Sequence, residues 1–530
     1  MEQGVQRSGT SLGARLSDAL GLAADRQLLL HSSRDLMDAE SLRVWARDAL
    51  SGNRLVVVSN REPYSHRRGP GGVRMNRNPG GLVVALDAVL RATGGTWVAH
   101  GSGDADEEYS DKRGRLAVPE DGPAYTLARQ WLSEGDVRRY YAGFANGALW
   151  PLSHLVFVRP RLDELDWESY RQVNRRFARA ALEEVGRDPG VVLLQDYHLA
   201  MCAGYIKAER PDLRVALFWH IPWPGPDVFR VLPWKEALLD GLLANDVLGF
   251  HLREHGMSFL ETVASELEAR VDFARMTVDR RGHTTRIRAF PIGTDVDGIA
   301  RHSSGAACRA ATARWRERLG LGPGPVALGV DRLDYTKGIP ERFQALRRLL
   351  EKYPRWRGSL QFVQVGVPTR VELPEYRELT ARVEALAQGL NRDFGSVGRP
   401  FLHLIKHDLD FADVVALYRL GNVAAVTPLH DGMNLVAKEY VAARPDLGGA
   451  LVLSRFTGAA REFRTAALVN PYDTEAVADA MDEVLSTPTS EARRRMAALR
   501  ERLLRNTIYD WAKDLLDCVL RLDPQFEEGR

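Results

Sequence analysis

The chain has 530 residues, 45% hydrophobic and 27% charged, with a formal net charge of +2. That length exceeds one ordinary hydrophobic core, so two large domains are expected, and the composition excludes a wholly disordered chain. The charge balance gives no reason to expect nucleic acid or an anionic membrane as a partner.

No apolar run approaches the ~20 residues needed to span a bilayer. The N-terminus lacks a basic start followed by an apolar core, so no secretory signal is expected. Cys202, Cys308 and Cys518 are far apart and lack metal-ligand spacing. They read as buried, reduced thiols of a cytoplasmic protein, and no metal is expected.

In chain order, residues 1–53 form an extension, whose pattern predicts helix over Leu12 to Leu30 and again near Ala39 to Leu50. The run Arg54–Ser59 is β-branched and ends in polar residues, as a buried parallel strand does. A loop ending at Gly80-Gly81 follows, then a helix from Leu82 to Arg91 with Gly94-Gly95 just past its end. Strand, glycine turn and helix make the first unit of a doubly wound α/β sheet. Further strands are expected at Val191–Leu194, Val215–Trp219, Val247–Phe250 and Arg286–Phe290. A linker with a helix spans Arg301 to Pro325. A second series of strands begins at Val326–Val330 and continues at Leu360–Val365, Val423–Thr427, Leu451–Ser454 and Ala467–Asn470. The stretch from about Ser490 to Leu522 reads as amphipathic helix. The expected division is an extension at 1–53, a Rossmann-like lobe at 54–300, a second at 301–490 and a helical segment at 491–530.

Polar residues gather at the carboxyl ends of these strands, where open α/β sheets place their ligands. Asp431-Gly432-Met433-Asn434 follows one strand and opens a helix, whose first N–H groups form an anion site suited to a diphosphate. Asp431 can accept from sugar hydroxyls, and Glu439, about two turns on, from a ribose diol. The same residues also fit a plain turn capped by Asp431. Arg332 at a strand end and Lys337 before a helix can clamp a leaving diphosphate, or form surface salt bridges. Arg61 could grip an acceptor phosphate, with Gly80-Gly81 permitting close backbone approach. His220 could face the reacting sugar or be structural. Asp196 could orient an acceptor hydroxyl or cap the next helix. Tyr141 and Trp150 fit a carbohydrate platform or a core cluster.

Together these segments resemble the trehalose-6-phosphate synthase family of glycosyltransferases, over about residues 54 to 520. The matching strings are Ser59–Arg61, Gly80-Gly81, Leu149–Pro151, Asp196–Leu199, His220–Pro224, Asp246–His251, Arg332–Gly338, Asp431–Ala443 and Asn470–Asp473, in the family's order. The resemblance implies a GT-B fold of two Rossmann-like lobes with the active site in the cleft between them. It implies retaining transfer of glucose from a nucleoside diphosphate glucose, a co-substrate, to glucose 6-phosphate, with no metal or other cofactor. A homo-oligomer is compatible with this reading. Carried over, Arg332 and Lys337 match the diphosphate pair and Asp431 the glucose ligand. Gly432, Met433, Asn434, Leu435 and Val436 match backbone contacts, Glu439 the ribose ligand, and His220 the histidine beside the transferred glucose. Arg61, Tyr141 and Arg370 match acceptor-phosphate ligands, Gly81 the glycine loop, and Trp150 and Asp196 acceptor-side residues.

The departures lie on the acceptor side. His100 stands where the family commonly has a second Trp after Trp97, and His430 where it has Arg. The string Arg61-Glu62-Pro63-Tyr64 also resembles glucosylglycerol-phosphate synthases, which makes another phosphorylated acceptor the alternative. A non-catalytic sugar-phosphate sensor is a further reading, disfavoured because Arg332, Lys337, Asp431 and Glu439 are all present. No C-terminal phosphatase signature follows, so the product is expected to leave phosphorylated.

Overall fold

The computed structural model describes residues 37–522 apart from Pro79. The expected helix Leu12 to Leu30 and the last eight residues lie outside the described residues.

In chain order the strands begin with β1 (Arg54–Arg61), β2 (Tyr64–Gly69), β3 (Gly72–Arg77), β4 (Thr96–His100), β5 (Arg115–Val118) and β6 (Tyr125–Gln130). They continue with β7 (Gly190–Gln195), β8 (Arg214–Trp219), β9 (Val247–Phe250), β10 (Arg270–Asp272), β11 (Thr277–Arg280) and β12 (His283–Ala289). The last are β13 (Val326–Leu333), β14 (Gln361–Pro368), β15 (Leu402–Ile405), β16 (Val423–Val426), β17 (Ala450–Ser454) and β18 (Ala467–Val469).

The first sheet has the order β10-β11-β12-β9-β8-β7-β1-β4-β6-β5. From β12 to β6 every neighbouring pair is parallel, and antiparallel strands close both edges. All residues of β7 and β9 are buried, as strands covered on both faces must be. The second sheet runs β15-β14-β13-β16-β17-β18 and is wholly parallel. Each sheet starts in its middle, winds outward one way, then returns to the other side of its first strand. That leaves a topological switch point between β1 and β7 and another between β13 and β16, where such sheets hold ligands beyond their carboxyl ends. Arg61 ends β1, and Asp196 follows β7. Arg332 lies in the last part of β13, and Asp431 follows β16.

Each sheet carries its own apolar core, and Tyr335 packs against both. The helix Ala39–Ala49 packs on the helix Gly81–Thr93 and on the helix Ile508–Leu520. The C-terminal stretch is helical, in two pieces. Thr489–Leu504 packs on the helix Leu435–Ala442, and Ile508–Leu520 returns to β8 and β9 of the first sheet. The break at Arg505–Thr507 is set by a capping box of Thr507 with Asp510.

Two expectations are corrected. The stretch before Gly81 is not simply a loop, because β2 and β3 pair as an antiparallel hairpin with Gly69 opposite Gly72. Gly72, at φ 101, supplies the left-handed backbone that closes its turn. Cys518 is half-buried rather than buried, because it flanks the inward stripe of Trp511, Leu515 and Val519. Cys202 and Cys308 are buried free thiols.

Candidate active site

The turn after β16 is built to leave its polar groups available. Asn434, not Asp431, caps the helix Leu435–Ala442. It adopts φ 69, and its side chain accepts from the N–H of Ala437. The first-turn N–H groups at Leu435 and Val436 have no intrahelical acceptor. Asp431 is thereby released from capping. Its Oδ2 accepts from Lys337 Nζ at 2.5 Å and from Asn434 Nδ2 at 3.1 Å. Burial works against the charge of Asp431, but the Lys337 ammonium outweighs it and keeps the carboxyl below its ordinary range. Gly432 is required by crowding. A Cβ there would come within 2.2 Å of the His220 carbonyl oxygen. Two turns along, Glu439 accepts from the Tyr418 hydroxyl at 2.8 Å, and burial pushes its carboxyl up.

Beneath this turn, fully buried Arg342 ties the two strands of the switch point together. It donates to Asp331 Oδ2 at 2.6 Å on β13 and to Thr427 Oγ1 at 2.9 Å beyond β16. Arg332 and Lys337 therefore leave β13 from a fixed base.

The opposite wall comes from the first sheet. His220 Nε2 lies 2.9 Å from Gln195 Oε1, an oxygen that can only accept, so Nε2 is the donor of that bond. Burial depresses the His220 imidazole to about 3, so it is neutral. Asp196, at φ 75, uses Oδ1 to accept from the N–H of Tyr197 at 3.0 Å and of His220 at 3.2 Å. Burial pushes its carboxyl up to about 7 against those bonds and the nearby Arg332 and Arg370. Gly81, which starts its helix, is so near the donor-turn helix that a Cβ would fall 2.6 Å from Leu435 Cδ1.

Tyr141 and Trp150 belong to a continuous helical stretch whose first part, Val137–Leu149, is a π-helix. The wide turn brings their rings to one place. Arg61 Nη2 donates to the Tyr141 hydroxyl at 3.3 Å, and Tyr141 stacks on His198. Trp150 has the guanidinium of Arg370 4.3 Å and that of Arg332 5.7 Å from its ring centre, within cation–π range. Burial works against ionisation of Tyr141, yet Arg61, Arg370 and Arg332 draw its hydroxyl down to about 7. Arg370 is buried at φ 50 and also reaches the Tyr197 hydroxyl of the first lobe at 3.3 Å. Three arginines from both lobes thus surround one aromatic cluster.

Arg61, Tyr141, Trp150, Arg332 and Arg370 meet at this cluster, Lys337 pairs with Asp431, Gly432 lies against the His220 carbonyl, Gly81 lies against Leu435, and Glu439 lies further along the second-lobe helix against Tyr418. Sequence reasoning missed Gln195, Tyr197, His198, Asp334 and Tyr376. All but Tyr376 stood inside or beside a quoted string, and their polar side chains were the available signal. The buried atoms Asn60 Oδ1, Trp150 Nε1, Gln195 Nε2, His198 Nε2 and Arg370 Nε have no protein partner. Buried polar atoms in native proteins are rarely left so, and a polyhydroxylated or phosphorylated ligand would satisfy them. The departures resolve locally. His100 ends β4 beside Arg61, and its Nδ1 donates to the Gln130 carbonyl at 3.2 Å. His430 Nδ1 donates to the His154 carbonyl across the lobes at 2.7 Å. Glu62 is buried against Arg129 at 2.8 Å and Ser102, and the Tyr64 hydroxyl meets buried Asp87, so both residues anchor the hairpin. Among the described residues no cluster of three or more His, Cys, Asp or Glu could hold a metal ion. Among them, too, no helix is long and apolar enough to cross a membrane.

Two doubly wound sheets facing across a cationic cleft define a GT-B glycosyltransferase. The model of Glycosyltransferase family 20 matches residues 53–520, and the chain belongs to that family. It is 40% identical over 482 residues to a trehalose-6-phosphate synthase of Mycolicibacterium gilvum, covering 89% of this chain and 95% of that one. Its likeness to the enzyme of that name from Mycolicibacterium smegmatis is 40% over 478 residues, covering 88% and 92%. Among solved structures, one from E. coli bound with UDP-2-fluoro glucose superposes with a TM-score of 0.78 at 32% identity, over 89% of this chain and all of that one. A Burkholderia xenovorans α,α-trehalose-phosphate synthase (UDP-forming) in complex with glucose-6-phosphate gives a TM-score of 0.79 at 32% identity, over 88% and 100%.

Proposed function

We propose that this glycosyltransferase moves glucose from UDP-glucose to glucose 6-phosphate, giving trehalose 6-phosphate and UDP with retention at the transferred anomeric carbon. The observation that carries this reading is the convergence of Arg61, Arg332 and Arg370 on the Tyr141–Trp150 cluster, with Lys337 paired to Asp431 on the donor turn. One diphosphate and one phosphomonoester are what such a set would neutralise, and aromatic faces suit sugar rings. The relatives bound with UDP-2-fluoro glucose and with glucose-6-phosphate support both halves.

The second-lobe residues take the donor. Arg332 and Lys337 stabilise charge on the departing diphosphate, with Lys337 shared between it and Asp431. Asp431 receives sugar hydroxyls, Gly432, Met433 and Asn434 supply backbone contacts, Leu435 and Val436 give N–H groups to phosphate, and Glu439 receives the ribose. Arg61, Tyr141 and Arg370 grip the acceptor phosphate. Asp196 and Trp150 place the acceptor ring, His220 lies beside the transferred glucose, and Gly81 lets the two walls close. In this division residues 54–300 serve chiefly the acceptor and 301–490 chiefly the donor, with Arg370 reaching the acceptor and His220 the transferred glucose from the opposite lobe.

The bond from the anomeric carbon to the diphosphate breaks as the bond to the acceptor's anomeric oxygen forms on the same face. The acceptor proton passes to the departing phosphate oxygen. Asp431, Asp334 and Asp196 are engaged by Lys337, Arg370 and backbone N–H groups respectively, which favours this front-face route over a carboxylate nucleophile. The anchoring roles of Glu62 and Tyr64 take away the residue basis for a different acceptor. Free thiols suit a reducing compartment such as the cytoplasm. The test is UDP release from UDP-glucose with glucose 6-phosphate and, separately, glycerol 3-phosphate. Turnover with the first is expected, and turnover only with the second would overturn the acceptor assignment.

A further inference from the structure

Asp334 stands between Arg332 and Lys337 in sequence and is completely buried. Its two oxygens serve two different segments. Oδ1 accepts from Thr336, both N–H at 3.0 Å and Oγ1 at 2.9 Å, within the turn that leads to Lys337. Oδ2 accepts from Arg370 Nη1 at 2.9 Å and from the Tyr376 hydroxyl at 3.3 Å. Tyr376 also receives a hydrogen bond from Arg370 Nη1. One carboxylate therefore bridges the loop after β13 and the loop after β14.

Arg370 needs such a brace. Its backbone is in the left-handed region at φ 50, which costs an arginine free energy unless side-chain contacts fix it. Its guanidinium is buried, and a buried charge is tolerated when paired and hydrogen-bonded. Asp334 takes Nη1, the Tyr197 hydroxyl meets Nη2, and Trp150 covers the plane. Nε, buried and without a protein partner, is left for an anion. The fork is planar, so fixing Nη1 also fixes the direction in which Nε points.

We infer that Asp334 is a positioning residue, which aims the Arg370 guanidinium at the acceptor phosphate and makes that aim depend on the donor turn Arg332–Lys337. This rests on the assignment of Arg370 under the proposed function. A diphosphate held by Arg332 and Lys337 steadies the turn that carries Asp334, and so steadies Arg370. By reciprocity, acceptor binding strengthens donor binding by the same factor.

Asp334→Asn keeps the shape and removes the charge. Glucose 6-phosphate KM at saturating UDP-glucose is expected to rise about tenfold or more, the scale of a buried charge-assisted hydrogen bond. The Kd of UDP alone, by calorimetry, is expected to move less than about threefold. A double-mutant cycle with Arg370→Gln separates aim from general structure, since Asp334→Asn should add almost nothing once Arg370 is gone. Equal weakening of UDP and acceptor, or full additivity in the cycle, overturns the inference. If Asp334→Asn does not fold, Tyr376→Phe removes the hydroxyl shared by both partners. It should raise the acceptor KM about threefold, again only while Arg370 is present. No change in that KM overturns the inference as well. An unchanged acceptor KM in Arg370→Gln itself would sink the acceptor assignment and this inference together. Failure at Asp334 alone leaves the assignment standing.

Discussion

The residues around Asp431 come from two neighbouring strands of one sheet, whereas those around Arg61 come from separate segments of both. On the donor side, β13 and β16 deliver Arg332, Lys337 and Asp431, and Arg342 locks the base. On the acceptor side, Arg61 ends β1, Tyr141 and Trp150 sit on a π-helical stretch, Asp196 follows β7 and Arg370 follows β14. The difference teaches that the charged groups of the donor half are delivered by one sheet, with His220 and Gly81 as its opposite wall, while the charged groups of the acceptor half come together only when two lobes meet. Tyr197 to Arg370 and His154 to His430 are direct hydrogen bonds across that meeting.

The largest expected effect breaks the donor side. Lys337→Ala should lower kcat by roughly 10²–10³-fold, because it removes a cation from the leaving group and leaves buried Asp431 without its ammonium. A loss under about tenfold in steady-state rates would remove Lys337 from the chemistry. Next, Arg61→Ala should raise the acceptor KM about tenfold to a hundredfold with the donor KM nearly unchanged. A matching rise in both would mean that the two halves are not separable as drawn. Glu439→Gln should do the reverse on a smaller scale, raising donor KM about tenfold and sparing the acceptor.

The smallest effect concerns the hairpin that carries the acceptor wall. Burial, with Asp106 nearby, pushes the Glu62 carboxyl from 4.5 to about 8. The folded chain then keeps a proton that the unfolded chain has released, so stability falls as pH rises from about 4.5 towards about 8. Glu62→Gln should flatten that fall. Thermal melts at pH 5 and pH 8 should show the difference in Tm shrinking by about 2 °C or more. A slope unchanged by the substitution would show that Glu62 is ionised in the folded chain.

Much of the fold was legible because parallel strands buried on both faces are short β-branched runs, as in Arg54–Ser59 and Val191–Leu194. Strands such as Leu402–Ile405 and Thr277–Arg280 were not read. The first is only half covered, and the others at the first sheet's edge carry polar residues that pair with neighbours. The hairpin was hidden because its exposed arginines lack an apolar alternation. The donor site was legible because its residues are contiguous. Arg370 came only through family likeness. Its partners Asp334, Tyr376 and Tyr197 are far apart in sequence, and only the packing of two loops on a third makes them a unit. Likewise the capping role of Asn434 rests on a backbone angle that the residue order leaves open.

The most direct test is proton NMR of the product made by the purified chain from UDP-glucose and glucose 6-phosphate. The account predicts a disaccharide monophosphate whose two anomeric protons both show the small coupling of α linkages, formed in step with UDP. A β-configured transferred glucose, or UDP release without a disaccharide phosphate, would contradict it.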